Sequence, residues 1–297
     1  MTTTYDIGSI TDAHGIPLLK MWRVDIPAGK RILRQHHHLN FEIMRVNGGS
    51  GIYTTSSAKH PISAGDVFVF SSNEFHCITD VGKDGLQITN LHFDPVYLRS
   101  TPYHTNDSFS LRSLNFCFGH NPSFLSRIPA GNSMNLTGLL SNIEQELTNQ
   151  KQEFALSVNS YLNLLLILLI RDFGYAEGNT GISHDQLQCI QQVLSYIDSH
   201  FAEKISLQEL SLLAGLSPNY FCTLFKQVSG MTLWNYINAK RIEKAARLII
   251  ADGVHENMID IAAECGYNNT ANFNKVFKKV TGMTPREYRN SGQGLIS

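Results

Sequence analysis

Apolar residues recur along this chain at two different periods. Between Leu18 and Phe93 they come in short alternating or continuous runs, Ile43–Val46, Gly51–Thr55, Val67–Phe70 and Gln87–Phe93, which is the pattern of strands. The clusters Asn47-Gly48-Gly49-Ser50 and Val81–Gly85 punctuate them as turns. That spacing predicts a small antiparallel barrel or sandwich. From Ser133 onward the period lengthens. Leu136, Leu139, Leu140, Ile143 and Leu147 share one face of a helix over Ser133–Asn149, and Phe154–Phe173 is apolar almost throughout. The run Leu162–Ile170 holds one polar residue, Asn163, and is about half the roughly 20 residues a bilayer span requires. It predicts a buried helix. Thr101–Asn132, rich in Ser, Asn and Phe, has no clear period.

The helical pattern then appears twice. Phe225-Lys226-Gln227-Val228-Ser229-Gly230-Met231-Thr232 returns as Phe277-Lys278-Lys279-Val280-Thr281-Gly282-Met283-Thr284; Phe221 answers Phe273, Tyr236 answers Tyr288, and Gly215 answers Gly266. Each copy reads as a short helix, a glycine turn and a second helix, which is helix-turn-helix grammar. In the first, Leu207, Leu210 and Leu213-Ala214 supply an apolar face, and Ser217-Pro218 starts a new helix with a cap and a proline. Along it Phe221, Leu224, Phe225 and Val228 must face a core, leaving Asn219, Cys222, Thr223 and Lys226 outside. In the second, Ile259, Ile261 and Ala262 precede the turn and Phe273, Val276, Phe277 and Val280 face inward. Thr270, Asn274, Lys275 and Lys278 face outward.

Charge indicates what those outer stripes would meet. Over all 297 residues, 24 Lys+Arg against 25 Asp+Glu decide little. Within the last third the sign alternates: residues 182–216 carry −3, 217–247 carry +4, 248–267 carry −4 and 268–297 carry +4. Both second helices and the segments after them are basic, and both supporting helices are acidic. A fold that places the basic segments on one face suits DNA, whose phosphates attract Lys and Arg and whose major groove admits a helix.

The residues Gly215-Leu216-Ser217-Pro218-Asn219-Tyr220-Phe221, Phe225-Lys226, Gly230-Met231-Thr232, Tyr236 and Arg241 resemble the DNA-binding domain of the AraC/XylS family of transcription regulators. The second copy fits the same signature through Ile261-Ala262, Cys265-Gly266-Tyr267, Phe273, Val276-Phe277-Lys278-Lys279, Thr281-Gly282-Met283-Thr284-Pro285 and Tyr288-Arg289. The resemblance implies two helix-turn-helix units joined by a long helix, here about Leu233–Ile250, reading successive major grooves of double-stranded DNA. Such a helix spans about 25 Å at roughly 1.5 Å per residue, a plausible spacer for units about 34 Å apart. The family's base-reading positions fall on Asn219, Cys222 and Thr223 in the first unit, and on Thr270, Ala271, Asn274 and Lys275 in the second. Lys226 and Lys278 are expected on phosphates, which fix register without reading sequence. The first helix offers no Arg or Gln at its reading positions, so bidentate base readout there falls to Asn219.

The N-terminal region resembles a cupin barrel, a sensor that regulators of this family often carry, through Gly29, His36-His37-His38, Glu42 and Gly48, then Pro61, Gly65-Asp66 and His76. His36 and His38 point to one face of an extended strand, and with Glu42 and His76 they suit an N3O divalent-metal site. The alternative is a pocket for an organic effector lined by His36, His38, Glu42 and His76, with Trp22 and Tyr53 able to stack on a ring. The pocket is the favoured reading, with no metal or other cofactor. His37 is expected at the surface and His92 as a satisfied structural histidine. The fragment Gln87–Phe93 is similar to the sensor domains of sugar-responsive members, which makes a carbohydrate the first candidate effector.

The expected whole is a multidomain β plus α protein: a cupin-like antiparallel β-barrel over 1–110, a helical dimerisation region over 111–175, a linker over 176–188, overlapping the Gly/Ser-rich Gly174–Ser183, and an all-α double helix-turn-helix domain over 189–291. By resemblance, helices within 133–173 pair between subunits of a homodimer; packing against the barrel's own flank is the alternative. The five cysteines are odd in number with no C-x-x-C pair, suiting free thiols, and the start has no signal-peptide pattern, so the cytoplasm is the expected compartment. Together these readings imply a regulator, not an enzyme, with activation as the expected mode and RNA polymerase as a further partner. The competing reading is a metal-dependent cupin enzyme, or a metal sensor, fused to a DNA-binding domain.

Overall fold

The computed structural model describes residues 2–11, 17–29, 40–55, 58–70, 76–94, 97, 127–173, 182–229, 231–250 and 257–290. They divide into two compact units, Met1–Ile182 and Ser183–Ser297.

In the first unit one antiparallel sheet contains β1 (Thr3–Thr11), β2 (Pro17–Ile26), β3 (Phe41–Thr55), β4 (Lys59–Ser63), β5 (Val67–Phe70), β6 (His76–Phe93) and β7 (Arg127–Ile128). The hydrogen-bonded order is β1-β2-β6-β3-β5-β7, with β4 paired to β3. Among the described residues β1 and β7 share no ladder, so the expected barrel is a curled sheet that this path does not close. Its inner face gathers Trp22, Val24, Ile26, Met44, Val46, Tyr53, Phe68, Phe70, Ile78, Leu86 and Ile88 into one core. The two clusters expected as turns lie inside strands. Asn47–Ser50 and Val81–Gly85 belong to β3 and β6, whose ladder shifts register between Val46 and Gly48 and again between Gly49 and Gly51. Glycine is needed there for close approach: Gly49 has φ +84°, and a Cβ on it would stand 2.1 Å from Gly85 O. The clusters therefore bend two long strands instead of ending them.

Helices α1 (Met134–Asn149) and α2 (Phe154–Asp172) complete this unit. α1 buries Leu136, Leu140, Ile143 and Leu147. Its Glu144 accepts Arg23 Nη2 at 2.5 Å and Arg45 Nη2 at 2.6 Å, and Arg45 Nη1 donates to Ser141 Oγ at 2.7 Å. Arg23 and Arg45 alternate with Trp22, Val24, Met44 and Val46, so α1 lies on the sheet's outer face. Packing against the sheet's own flank is thus what α1 does. Gly65-Asp66 of the cupin-like pattern serves as a clamp: the buried Asp66 accepts Ser63 N at 2.9 Å, Arg127 Nε at 3.0 Å and Ala130 N at 3.1 Å, tying β5 to β7. α2 is long and apolar enough to cross a membrane. Its Val158, Leu162, Leu165, Leu166 and Leu169 are buried within the unit, which accounts for that apolarity.

The second unit is helical: α3 (His184–His200), α4 (Leu207–Leu213), α5 (Pro218–Ser229), α6 (Leu233–Ile250), α7 (Met258–Glu264), α8 (Thr270–Thr281) and α9 (Pro285–Asn290). α3 begins inside the stretch expected as linker. Ser183 and Gln186 form a reciprocal capping box, a local signal that the glycine and serine count obscures. Turns α4-α5 and α7-α8 hinge on Gly215 (φ +66°) and Gly266 (φ +81°). The repeated phrase closes each second helix in the same way. Ser229 Oγ donates to Phe225 O at 2.7 Å and accepts Met231 N at 3.4 Å; Thr281 Oγ1 donates to Phe277 O at 2.8 Å and accepts Met283 N at 3.2 Å. Leu213 and Ile259, expected in the apolar faces, are exposed instead. Leu210 and Ile261 suffice to anchor those helices of about two turns.

Candidate nucleic-acid interface and sensor site

The two second helices keep aromatic anchors in the core and polar stripes outside. On α5, Phe221, Leu224, Phe225 and Val228 are buried, while Asn219, Thr223, Lys226 and Gln227 are exposed and Cys222 is half-buried. On α8, Phe273 and Phe277 are buried, Val276 and Val280 partly so, and Ala271, Asn274, Lys275, Lys278 and Lys279 are exposed with Thr270 half-buried. Every sequence-derived reading position therefore reaches solvent. Asn269 aims the start of α8 by accepting Ala271 N at 2.8 Å and Asn272 N at 3.1 Å. Gln227 and Lys279 extend the stripes by one position. They follow from i, i+4 spacing after Thr223 and Lys275.

The basic charge of the first copy is consumed within the fold. Lys240 is 8% exposed and pairs with Asp198 Oδ1 at 3.2 Å, Lys244 pairs with Glu264 Oε1 at 2.8 Å, and Arg247 pairs with Glu243. Arg241 donates from Nε to Phe201 O at 2.6 Å and from Nη2 to Glu203 O at 2.8 Å, and its guanidinium lies 5.5 Å from the centre of the Tyr267 ring. Burial pushes its pKa down from the usual arginine value and that of Tyr267 up. Lys226 is the one cation left on α5, whereas α8 exposes Lys275, Lys278 and Lys279 and α9 exposes Arg286 and Arg289. Two of the acids that lie on the supporting helices α3 and α7 neutralise α6. The charge alternation along the sequence is thus partly a set of internal pairs, and the second unit holds most of the cationic surface.

The two helix-turn-helix copies share one junction. Tyr267 OH donates to Asn238 Oδ1 at 3.0 Å, Arg241 spans Tyr267 and the Phe201 carbonyl, and a Cβ on Gly266 would fall 2.4 Å from Ala202 O. The second turn is seated against both the end of α3 and the middle of α6.

On the sheet's inner face, Glu42, His76 and His92 converge. Glu42 is 3% exposed, and its Oε2 lies 3.0 Å from His76 Nε2 and 2.9 Å from His92 Nε2. The ladder puts Glu42 opposite His92 and Met44 opposite Asn90. Asn90 is 7% exposed, and its buried Oδ1 has no hydrogen-bond partner among the described residues. His36, His37 and His38 lie outside the described residues. Trp22 and Tyr53 are buried core residues: Trp22 meets the His92 ring edge-on at 4.4 Å, and Tyr53 stacks on Phe68 and Phe70 at 5.2 and 4.9 Å. His92 and Asn90 complete a polar end to an otherwise apolar face. Alternation along β6, where Leu86, Ile88, Asn90 and His92 share a side, is the signal that finds them. Among the described residues no group of three His, Cys, Asp or Glu has the arrangement of a metal cage.

A model of the AraC-like ligand binding domain matches residues 27–166, and one of a helix-turn-helix domain matches residues 210–291. The HTH-type transcriptional activator RhaS of Enterobacter sp. (strain 638) is 26% identical over 261 residues, covering 86% of this chain and 87% of its own. RhaR of Mannheimia succiniciproducens, also an HTH-type transcriptional activator, is 26% identical over 261 residues, covering 86% of each chain. Among solved structures, apo ToxT from Vibrio cholerae superposes with a TM-score of 0.61 at 13% identity, covering 93% of this chain and 98% of that one. That likeness shows a shared fold.

Proposed function

The chain belongs to the AraC/XylS family of transcription regulators, and from that membership we propose that it activates transcription by placing α5 and α8 in successive major grooves under the control of a small effector. The observation that carries this reading is the pair of exposed polar stripes on helices anchored by matching buried phenylalanines. Asn219 and Thr223 read bases in the first unit, with Cys222 in van der Waals contact, and Thr270, Ala271, Asn274 and Lys275 read them in the second. Lys226 and Lys278 hold phosphates. As an activator, the protein meets RNA polymerase at its promoter, and it acts in the cytoplasm. It works as a homodimer through residues 133–173: α2 leaves Leu156 and Leu164 exposed at 44% and 50%, eight residues apart on one face, where a second copy can cover them.

The effector is a carbohydrate held in the sensor unit. Glu42, His76, His92 and the Asn90 amide oxygen supply hydrogen-bonding groups of the kind that hydroxyls require. Screening sugars and related metabolites against the full-length chain by thermal shift tests this directly, because a ligand at 100 times its Kd adds about 2.7 kcal/mol of stability. A stabilising sugar that also changes promoter binding supports the proposal, and a stabilising non-sugar replaces it. The alternative, a metal-dependent cupin or metal sensor, needs ligands beyond Glu42, His76 and His92, which form no metal cage among the described residues. Stoichiometric iron or manganese with turnover, in protein purified without an affinity tag, would establish that reading; DNA binding by metal-free protein would remove it.

A further inference from the structure

One glutamine ties the first reading helix to the start of its own domain. Ser183 opens α3 with its capping box: Ser183 Oγ accepts Gln186 N at 3.3 Å, and Gln186 Oε1 accepts Ser183 N at 2.6 Å. A backbone N–H can only donate, so the side-chain atom facing it is the amide oxygen and the amide nitrogen points away. That nitrogen donates to the hydroxyl of Tyr220, 34 residues further on. Tyr220 is exposed in the first turn of α5, beside Asn219. An amide NH2 group offers no lone pair here, so the phenol oxygen is the acceptor, and its own O–H proton meets no acceptor among the described residues.

We propose that Gln186 is a positioning residue for DNA binding, holding the Tyr220 hydroxyl so that its O–H is presented to a backbone phosphate beside the groove that α5 enters. The proposal rests on the reading of α5 as a recognition helix. It supplies a donor where charge is scarce, since Lys226 is the sole cation on α5, and tyrosine is among the side chains that contact phosphate. The second unit has Asn272 at the corresponding position and carries three lysines on α8, so it does without the device. One consequence concerns the entry to the domain. Because the same side chain closes the box at Ser183 and orients Tyr220, opening that box frees the amide to rotate and releases the phosphate contact.

Gln186→Glu separates the two roles. A glutamate at this position still accepts Ser183 N–H and keeps the box, but it replaces the donor with an acceptor that captures the Tyr220 proton. The measurement is the affinity of full-length chains for a duplex selected by the parent protein from a random pool, with Tyr220→Phe, the double variant and Asn219→Ala alongside. Gln186→Glu and Tyr220→Phe are each expected to weaken binding about five- to tenfold with an unchanged thermal midpoint. The double variant is expected to bind no worse than either single one. Parent-like binding by both single variants, additive losses, or losses that track a lowered midpoint would each overturn the proposal while Asn219→Ala is weakened. An unchanged Asn219→Ala would instead remove the reading of α5 on which it rests.

Discussion

Gly215 and Gly266 occupy the same place in two copies of one turn, yet they answer to different forces. Both adopt positive φ, so alanine at Gly215, whose added methyl would have nothing within 4 Å, is expected to cost about 1–2 kcal/mol of backbone strain. At Gly266 the same methyl meets Ala202 O at 2.4 Å. Gly266→Ala should therefore cost about 3 kcal/mol or more, since backbone must move, and chemical denaturation of the two variants checks the order. On the reading stripes, Asn219→Ala and Lys275→Ala should each lower operator affinity about tenfold with folding intact; direct base contacts are worth about 1–3 kcal/mol. Only the first should relax base preference without changing the salt dependence. The exposure of the two polar stripes was legible because helical spacing leaves those residues no other face. His92 and Asn90 were not, because their meaning depends on which residues β3 and β2 bring opposite them.

Among the elements, α6 and α8 show how far a charge count can mislead. Both are basic in sequence, but α6 spends its cations on Asp198, Glu264, Glu243 and two carbonyls. Lys278→Ala should reduce the slope of log affinity against log salt by about 0.9, as expected for one phosphate contact. Lys240→Ala should leave that slope alone and destabilise the unit by about 3 kcal/mol, because Asp198 loses its cation in a largely buried pair and keeps the neutral Tyr236 hydroxyl. At α9, Thr284 N–H and its hydroxyl hold the Glu287 carboxyl below the usual carboxylate range. A carboxylate with a depressed pKa stabilises the fold above its unfolded value and loses that contribution as pH falls through the lower folded one. Glu287→Gln should accordingly flatten the acid limb of the stability profile. The second helices of the duplicated copies were readable from local pattern, whereas the capping box that opens α3 at Ser183 and Gln186 was hidden in the stretch expected as a linker. Strands β3 and β6 run longer than their apolar pattern suggests, since a glycine bulge that bends a ladder and a glycine turn that ends one look alike until the partner strand is known.

For the whole molecule, the sensor sheet and α1 form one unit through Glu144, and the DNA-binding unit begins at Ser183. The family signature and the duplication made that division visible; the flank packing of α1 needed Arg23 and Arg45, which sit in distant strands and carry no periodic mark. If α2 pairs two copies, Leu156→Glu with Leu164→Glu should yield a monomer in sedimentation with weaker operator binding, while leaving the sensor unit folded. The two reading units are unequal in chemistry. α8 exposes Asn274 together with Lys275, Lys278 and Lys279, whereas α5 exposes Asn219, Thr223 and Gln227 with Lys226 as its cation, so on the proposed reading the second offers more of both base-reading and charge. Selection of duplexes from a random pool by the full-length chain tests this most directly. The expected product is a pair of boxes about 10 base pairs apart, one sharper than the other, with Asn274→Ala flattening the sharper box and sparing the weaker. No enrichment, or an enriched motif unchanged by both Asn219→Ala and Asn274→Ala, would contradict it.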